Sequence, residues 1–538
     1  MIFTLIVSVL LIIAGCSSGK DAATQDNGND GAVTAGDNSK SSGEKTLIFG
    51  RGADSVQLDP SKVTDGESLY VTNQIYDTLV RYKQDNTEVK PALATDWTTS
   101  DDGKVWTFHL RKDVKFHDGT KFDANAVVYN FKRWTQSADF VYYGYMFGAN
   151  KDNMKGIISN VEATDDYTVK MTLSEPNAPF LQTLAMPAFG IASPTAVKKY
   201  GANYFKHPVG TGPFVFDSWV KDDKITLHKN KDYFGQVADV NKVIFRVIPD
   251  NGARFMELQA GTINMMEGLD PEDMQKVTKD PNLKIVSRPA MNVAYMSMNT
   301  SKKGPMSSQK VRQAINMAIN KKKLMSLYQG IGKEAKNPLP PSVWSYNDDV
   351  QDYHYNVKKA KKLLAEAGYG NGFTMNLYTM TNPRPYMPQP QLTAEAIQQM
   401  LKAVKIKVNV VENDWDTHLV KTENGEDDAA LMGWVGDNGD PDNFLYVLLD
   451  KDNAKKGSAG NTAFYKNDQV HDLLKKGQVT LNQNERTKIY KQVQQIVHDD
   501  APWVPIAYAT QPMAVNKNVM DYVPHSTGSE PFNYIKLK

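Results

Sequence analysis

Polar and apolar residues alternate in several short runs in the first half of the chain. TLIFGRG (46–52), VWTFHLR (105–111), TVKMTL (168–173), ITLHKN (225–230) and KVIFRVI (242–248) carry that two-residue period, which predicts strands. The SDDG before the second run predicts a hairpin turn, and the glycines closing the first let backbone pass close to something else. From residue 308 the period lengthens. Val311, Ala314, Ile315, Ala318 and Ile319 recur at helical spacing within 308–329. Asn356 is placed to cap VKKAKKLLAEAG, and Gly368 to end it. Helices are also predicted at 392–404 and 484–500, with strands at 373–380, 405–411 and 428–435. Strands alternating with helices predict an α/β unit wound around a partly parallel sheet.

Composition adds bounds. The chain has 538 residues and a formal net charge of +1, with 41% hydrophobic and 23% charged residues. Length suggests about three domain-sized units. Balanced charge and the lack of a long basic run give no reason to expect a nucleic-acid partner. Cys16 is the single cysteine, so neither an intrachain disulfide nor a cysteine zinc cage is available. Residues 2–15, IFTLIVSVLLIIAG, have the length and polarity of a secretory hydrophobic region, and Ile13-Ala14-Gly15-Cys16 resembles a bacterial lipobox. That predicts a signal peptide over 1–15 and a lipid on Cys16. No Lys or Arg precedes the run, so a positively charged leader is expected upstream of residue 1. Residues 17–44 contain no aromatic and almost no large aliphatic, which predicts an unfolded tether. No later run has the length and apolarity of a membrane span.

The candidate chemistry lies in two polar loops. Open α/β sheets bind ligands beyond the carboxyl ends of their strands. TNPRPYMPQP (381–390) follows the strand expected to end at Met380, and GDNGDPDN (436–443) follows the one ending near Val435. The first carries Arg384 between two prolines; the second carries Asp437, Asp440 and Asp442. If both strands share a sheet, a fixed cation and a fixed anion face one crevice. The blander readings are a solvated guanidinium and an ordinary Asp/Asn/Gly/Pro turn. Motifs for nucleotide phosphates, zinc proteases and serine hydrolases are absent. The acidic loop fails as a calcium hand: counted from Asp437, its third and fifth positions are Gly439 and Pro441. Magnesium held by carboxylates alone, or a hydrolytic pair of Asp437 and Asp440, stays open at this level.

Longer blocks carry a resemblance. PALATDWTTSDDGKVWTFHLRKDVKFHDGTKFDANAVVYNFKR (91–133), PVGTGPFVFDSWVKDDKITLHKNKDYFG (208–235) and KVRQAINMAINKK (310–322) resemble the extracytoplasmic solute-binding proteins of peptide ABC transporters, bacterial family 5. NPRPYMP (382–388) and MGWVGDNGDPDNF (432–444) resemble its dipeptide-binding branch. The resemblance implies a two-lobe periplasmic-binding-protein-like α/β fold (type II, cluster C) with an extra subdomain in the first lobe. Carried onto this chain, lobe I spans 45–80 and 208–290, its extra subdomain 81–207, lobe II 291–508 and the return to lobe I 509–538. Hinges are then expected near 290–300 and 505–517.

The resemblance also implies a non-enzymatic receptor without cofactor or bound metal. It would be a monomer at the outer face of the membrane, held by lipid on Cys16, delivering short peptides to a permease and its ATPase. Asp437 would pair with the peptide ammonium, with Asp440 as second choice, and Arg384 with the carboxylate. Gly50, Gly52, Gly433, Trp434 and Tyr386 would supply backbone and pocket contacts. The same fold carries oligopeptides, haem, glutathione and nickel chelates in relatives, and sensing without transport uses the same closure.

Overall fold

The computed structural model describes residues 44–538. Cys16, the expected signal peptide and the expected tether up to residue 43 lie outside these described residues. No helix among the described residues is long and apolar enough to cross a membrane.

Two sheets organise the chain. A seven-stranded sheet runs in the order Leu283–Arg288, Gln511–Asn516, Met265–Met266, Thr46–Arg51, Lys242–Val247, Lys224–Lys229, Phe214–Val220. A six-stranded sheet runs Gly332–Glu334, Trp503–Ala509, Asn292–Met298, Ala429–Val435, Phe373–Met380, Ile406–Asn413. The chain leaves the first sheet after Arg288 and enters the second at Asn292; it returns through Thr510, between Ala509 and Gln511. Each sheet with its helices forms one lobe, and two short connections join them. A four-stranded antiparallel sheet within 94–173, with its own aromatic core around Trp106, Phe108, Phe131 and Trp134, builds the extra subdomain of the first lobe.

The predicted strands form where their alternation buries one face on each side. Asn292–Met298 is buried throughout. Ala294, Met296 and Met298 pack into one core, with Ile315, Ile397 and Leu401; Val293 and Tyr295 pack into the other, with Phe444, Leu448 and Tyr490. Strand side chains point alternately to opposite faces, so one strand serves two layers of helices.

Two expectations change. Residues 308–329 do not form one helix: Gln309–Ala318 stops, Asn320 caps Lys321–Leu324 by accepting from the Lys323 amide, and a short 3₁₀ turn follows. The cap offered by Asn320 competes with continuation of the helix. And Thr46–Arg51 is not an edge open to a ligand. It lies inside its sheet, with Gly50 opposite Arg246 on one side and Met266 on the other, so the backbone of Gly50 is committed to the ladder. A Cβ at Gly50 would meet Ile263 at 2.7 Å, so close packing accounts for this glycine. The amide of Gly52 donates to Glu267 Oε1 at 3.4 Å.

Candidate functional site

Phe373–Met380 and Ala429–Val435 are neighbours in the six-stranded sheet and run parallel, through Leu377 opposite Ala429 and Tyr378 opposite Ala430. The loops that follow them therefore leave the same end of the sheet. Past Ala430 the two strands part, and no residue of Phe373–Met380 pairs with 431–435. The other edge of 429–435 stays paired with Asn292–Met298 throughout. The edge of 431–435 that faces Phe373–Met380 therefore carries no strand partner.

Arg384 sits in a tight turn closed by reciprocal backbone hydrogen bonds with Met387, at 3.0 and 2.9 Å. Its guanidinium stacks on the indole of Trp415, with Cζ 3.6 Å from the ring centroid. Trp415 opens the helix Trp415–Glu423, whose start is fixed by Asp414 accepting from the Thr417 amide. Stacking fixes the plane of the guanidinium while leaving its N–H edge available. Nε of Arg384 is buried without a hydrogen-bond partner.

Asp437 lies at the start of the acidic loop. Oδ2 accepts from Asn443 Nδ2 at 3.0 Å and Oδ1 from the Tyr142 hydroxyl at 3.4 Å. Neither neighbour is a cation. Asp437 keeps a partly accessible surface, yet protein closes around it on most sides. Loss of water pushes its carboxyl up to about 6, and the two hydrogen bonds only partly offset this. A carboxylate has about four acceptor positions, of which two are used here. Tyr142 belongs to Val141–Phe147 in the extra subdomain of the first lobe, so the contact with Asp437 crosses between lobes.

Asp440, three residues on, is differently placed. It is fully buried, and both its oxygens are taken by Arg486 in two parallel bonds of 2.8 Å. Arg486 also donates to the Gly477 carbonyl and to Tyr490. This neutralised pair pins the loop to the helix Gln483–Asp500, so the charge of Asp440 is already matched within the protein, whereas Asp437 has no cation beside it. Gly439 adopts φ +67°, and a Cβ there would come within 2.3 Å of the Thr87 side chain. Only glycine lets the loop seat against the first lobe at this point.

The remaining expected contacts divide. Trp434 is half-buried and donates from Nε1 to Asn443 Oδ1 at 3.2 Å, the same side chain that bonds Asp437. Tyr386 is only 5% exposed. Its ring lies over Gly433, where an added Cβ would fall 2.1 Å from Cδ2. It therefore shapes the strand beneath the site and presents little surface to a ligand. Sequence reading missed Tyr142, Tyr145, Asn443 and Trp415. The YYGY run (142–145) offered a signal, since Tyr142 and Tyr145 are three apart on one helix and so share a face. Elsewhere, Asp450, Asp452 and His471 bring possible metal-ligand atoms within 4.8 Å of one another. There His471 Nδ1 already bonds the Asp450 carboxylate at 3.0 Å.

The model of the bacterial extracellular solute-binding proteins, family 5, matches residues 88–456. The chain belongs to this family. It is 35% identical to heme-binding protein A of Haemophilus influenzae over 98% of this chain and 97% of that protein. It is 36% identical to the dipeptide-binding protein of Escherichia coli over 92% and 95%. Among solved structures it is similar to the ABC transporter-associated periplasmic binding protein DppA from Helicobacter pylori in complex with the peptide STSA. That match has 37% identity and a TM-score of 0.73, covering 92% of this chain and 98% of that one. As a family 5 solute-binding protein it has the two-lobe periplasmic binding protein fold, works outside the cytoplasm, and is a receptor rather than an enzyme.

Proposed function

We propose that this protein captures short peptides, above all dipeptides, between its lobes and hands them to an ABC permease, held at the membrane by lipid on Cys16. The observation that carries the reading is the pair of uncommitted opposite charges at one end of one sheet: Asp437, bonded only by neutral groups, and Arg384, stacked on Trp415 with a free Nε. A dipeptide is a zwitterion whatever its side chains. Each end loses water on entering and needs a partner of opposite charge. Asp437 receives the ammonium, and the planar fork of Arg384 matches the carboxylate with two parallel bonds. The unpaired strand edge by Gly433 takes the intervening amide. The spacing of the two charges then selects length, because a longer peptide buries a mismatched end. Side chains occupy wetter space, where bridging water tolerates variety.

Closure about the connections at 289–291 and Thr510 converts occupancy into a shape that a permease can distinguish. The reading is supported by kinship with proteins named for dipeptides and by likeness to a structure that holds a peptide. A haem-type ligand is the second reading, favoured by the Haemophilus influenzae relative that spans nearly the whole chain. A calorimetric screen of di-, tri- and pentapeptides, with haemin and nickel–histidine alongside, separates the two. Dipeptides are expected to bind most tightly; saturable binding of haemin alone would replace this reading with the second.

A further inference from the structure

Beside the Asp437 anchor lies a partly open cleft. A cavity of about 360 Å³ separates the extra subdomain of the first lobe from the second lobe; its walls include Tyr145 and Thr183 on one side and Asn438, Asp442, Asn443 and Gln478 on the other. It adjoins the anchor directly, because Asn443 is both a wall of this cavity and the donor to Asp437 Oδ2. Tyr145, at its mouth, is 46% exposed. The two lobes meet at its rim, where Asn438 Nδ2 donates to Thr183 Oγ1 at 3.3 Å.

The wall carries one carboxylate, Asp442, and no cation is hydrogen-bonded to it. Asp442 Oδ2 accepts from Gln478 Nε2 at 3.2 Å, and Oδ1 accepts nothing. The nearby cations are otherwise engaged. Arg486 is locked on Asp440 in two bonds of 2.8 Å, and Lys475 donates to Gln478 Oε1 at 3.2 Å and to the Tyr446 hydroxyl at 3.5 Å. Burial, together with the Asp440 charge, pushes the Asp442 carboxyl up to about 7. A carboxylate in such a wall loses hydration and recovers only part of it, here from Gln478 and the more distant charges of Arg486 and Lys475. An apolar side chain entering the cavity would leave that cost in place. A side-chain ammonium or guanidinium would relieve it.

We infer that this cavity is a side-chain pocket of the same binding site, and that it selects short peptides whose residue at the free ammonium is lysine or arginine. This rests on the reading of Asp437 as the ammonium receptor, since that contact brings the first side chain to the cavity. The peptide's two positive groups then face two carboxylates, Asp437 and Asp442, on either side of Asn443.

The test compares Lys-Ala with norleucyl-alanine, its uncharged counterpart of similar length, by calorimetry at pH 8, with Ala-Ala as reference. Wild-type protein is expected to bind Lys-Ala at least tenfold more tightly than norleucyl-alanine. In Asp442→Asn that ratio is expected to fall to within about threefold of one. A wild-type ratio near one overturns the inference and needs no variant to measure. So does a ratio that Asp442→Asn leaves unchanged. If Ala-Ala binds while the ratio is one, the pocket assignment alone fails. If no dipeptide binds at all, the dipeptide reading fails and takes this inference with it.

Discussion

Replacing Asp437 by Asn should strengthen the empty protein and disable it as a receptor. The carboxyl is raised from 3.8 to about 6 in the folded chain. Holding it ionised at neutral pH therefore costs at most about 3 kcal/mol, at about 1.4 kcal/mol per tenfold change. Because part of the side chain is still reached by water, about 2 kcal/mol is the fairer figure. An Asn at 437 can still accept from Asn443 through its oxygen, while its amide faces the Tyr142 oxygen, so the substitution removes the charge and little else.

The sign follows from proton uptake. Between pH 4 and 6 the folded state holds a proton at 437 that the unfolded chain has released, so wild-type stability falls as pH rises through that window. The gain from Asp437→Asn should be full at pH 8 and should shrink steadily below pH 6, disappearing near pH 4. If the second lobe unfolds as its own unit, about 2 kcal/mol raises its midpoint by about 4–8 °C. Differential scanning calorimetry of ligand-free protein at pH 8, 6 and 4 reads this directly. A variant less stable than wild type at pH 8, or a gain that does not depend on pH, would refute the reasoning.

Other outcomes follow from the same geometry. Arg384→Ala should weaken dipeptide binding at least about tenfold, since loss of one hydrogen-bonded charge partner costs roughly 2–5 kcal/mol; unchanged affinity by calorimetry would remove Arg384 from the site. Dipeptide affinity should be greatest near pH 7 and fall about tenfold per pH unit well below pH 6, because Asp437, with its carboxyl at about 6, must shed its proton to receive an ammonium; a flat profile from pH 7 to 4.5 would contradict that. Asp440→Asn should do the reverse of Asp437→Asn and destabilise by about 3–5 kcal/mol, since it leaves Arg486 buried without its counter-charge; a melt showing no loss would mean the pair is not structural. Gly433→Ala should lower both stability and affinity by displacing the Tyr386 ring from the strand; wild-type behaviour in both assays would show that the ring yields freely.

The recurrence of apolar residues made most of this architecture legible. Phe373–Met380 and Ala429–Val435 appear where alternation and apolar runs put them, and both candidate loops sit beyond their carboxyl ends. That placement is what sequence could offer, because strand direction decides which end of a sheet a loop occupies. What sequence could not offer was the partner of each acid. Asp437 and Asp440 are three residues apart and chemically identical. Their roles divide because Arg486, 46 residues downstream, closes on Asp440. Tyr142 reaches Asp437 from 295 residues away, in another lobe. The position of Thr46–Arg51 inside its sheet depends on Met265–Met266 and Lys242–Val247, whose pairing is equally non-local. Short-range pattern specifies elements; long-range pairing specifies which charge is left over.

The central claim is that two opposite charges on the protein grip the two charged ends of one small ligand. Blocking those ends one at a time tests it most directly. Calorimetry with Ala-Ala, N-acetyl-Ala-Ala and Ala-Ala amide should show binding of the free dipeptide and a loss of at least about tenfold for each blocked form, with Asp437→Asn insensitive to acetylation and Arg384→Ala insensitive to amidation. Equal affinity of wild-type protein for all three peptides would contradict the account.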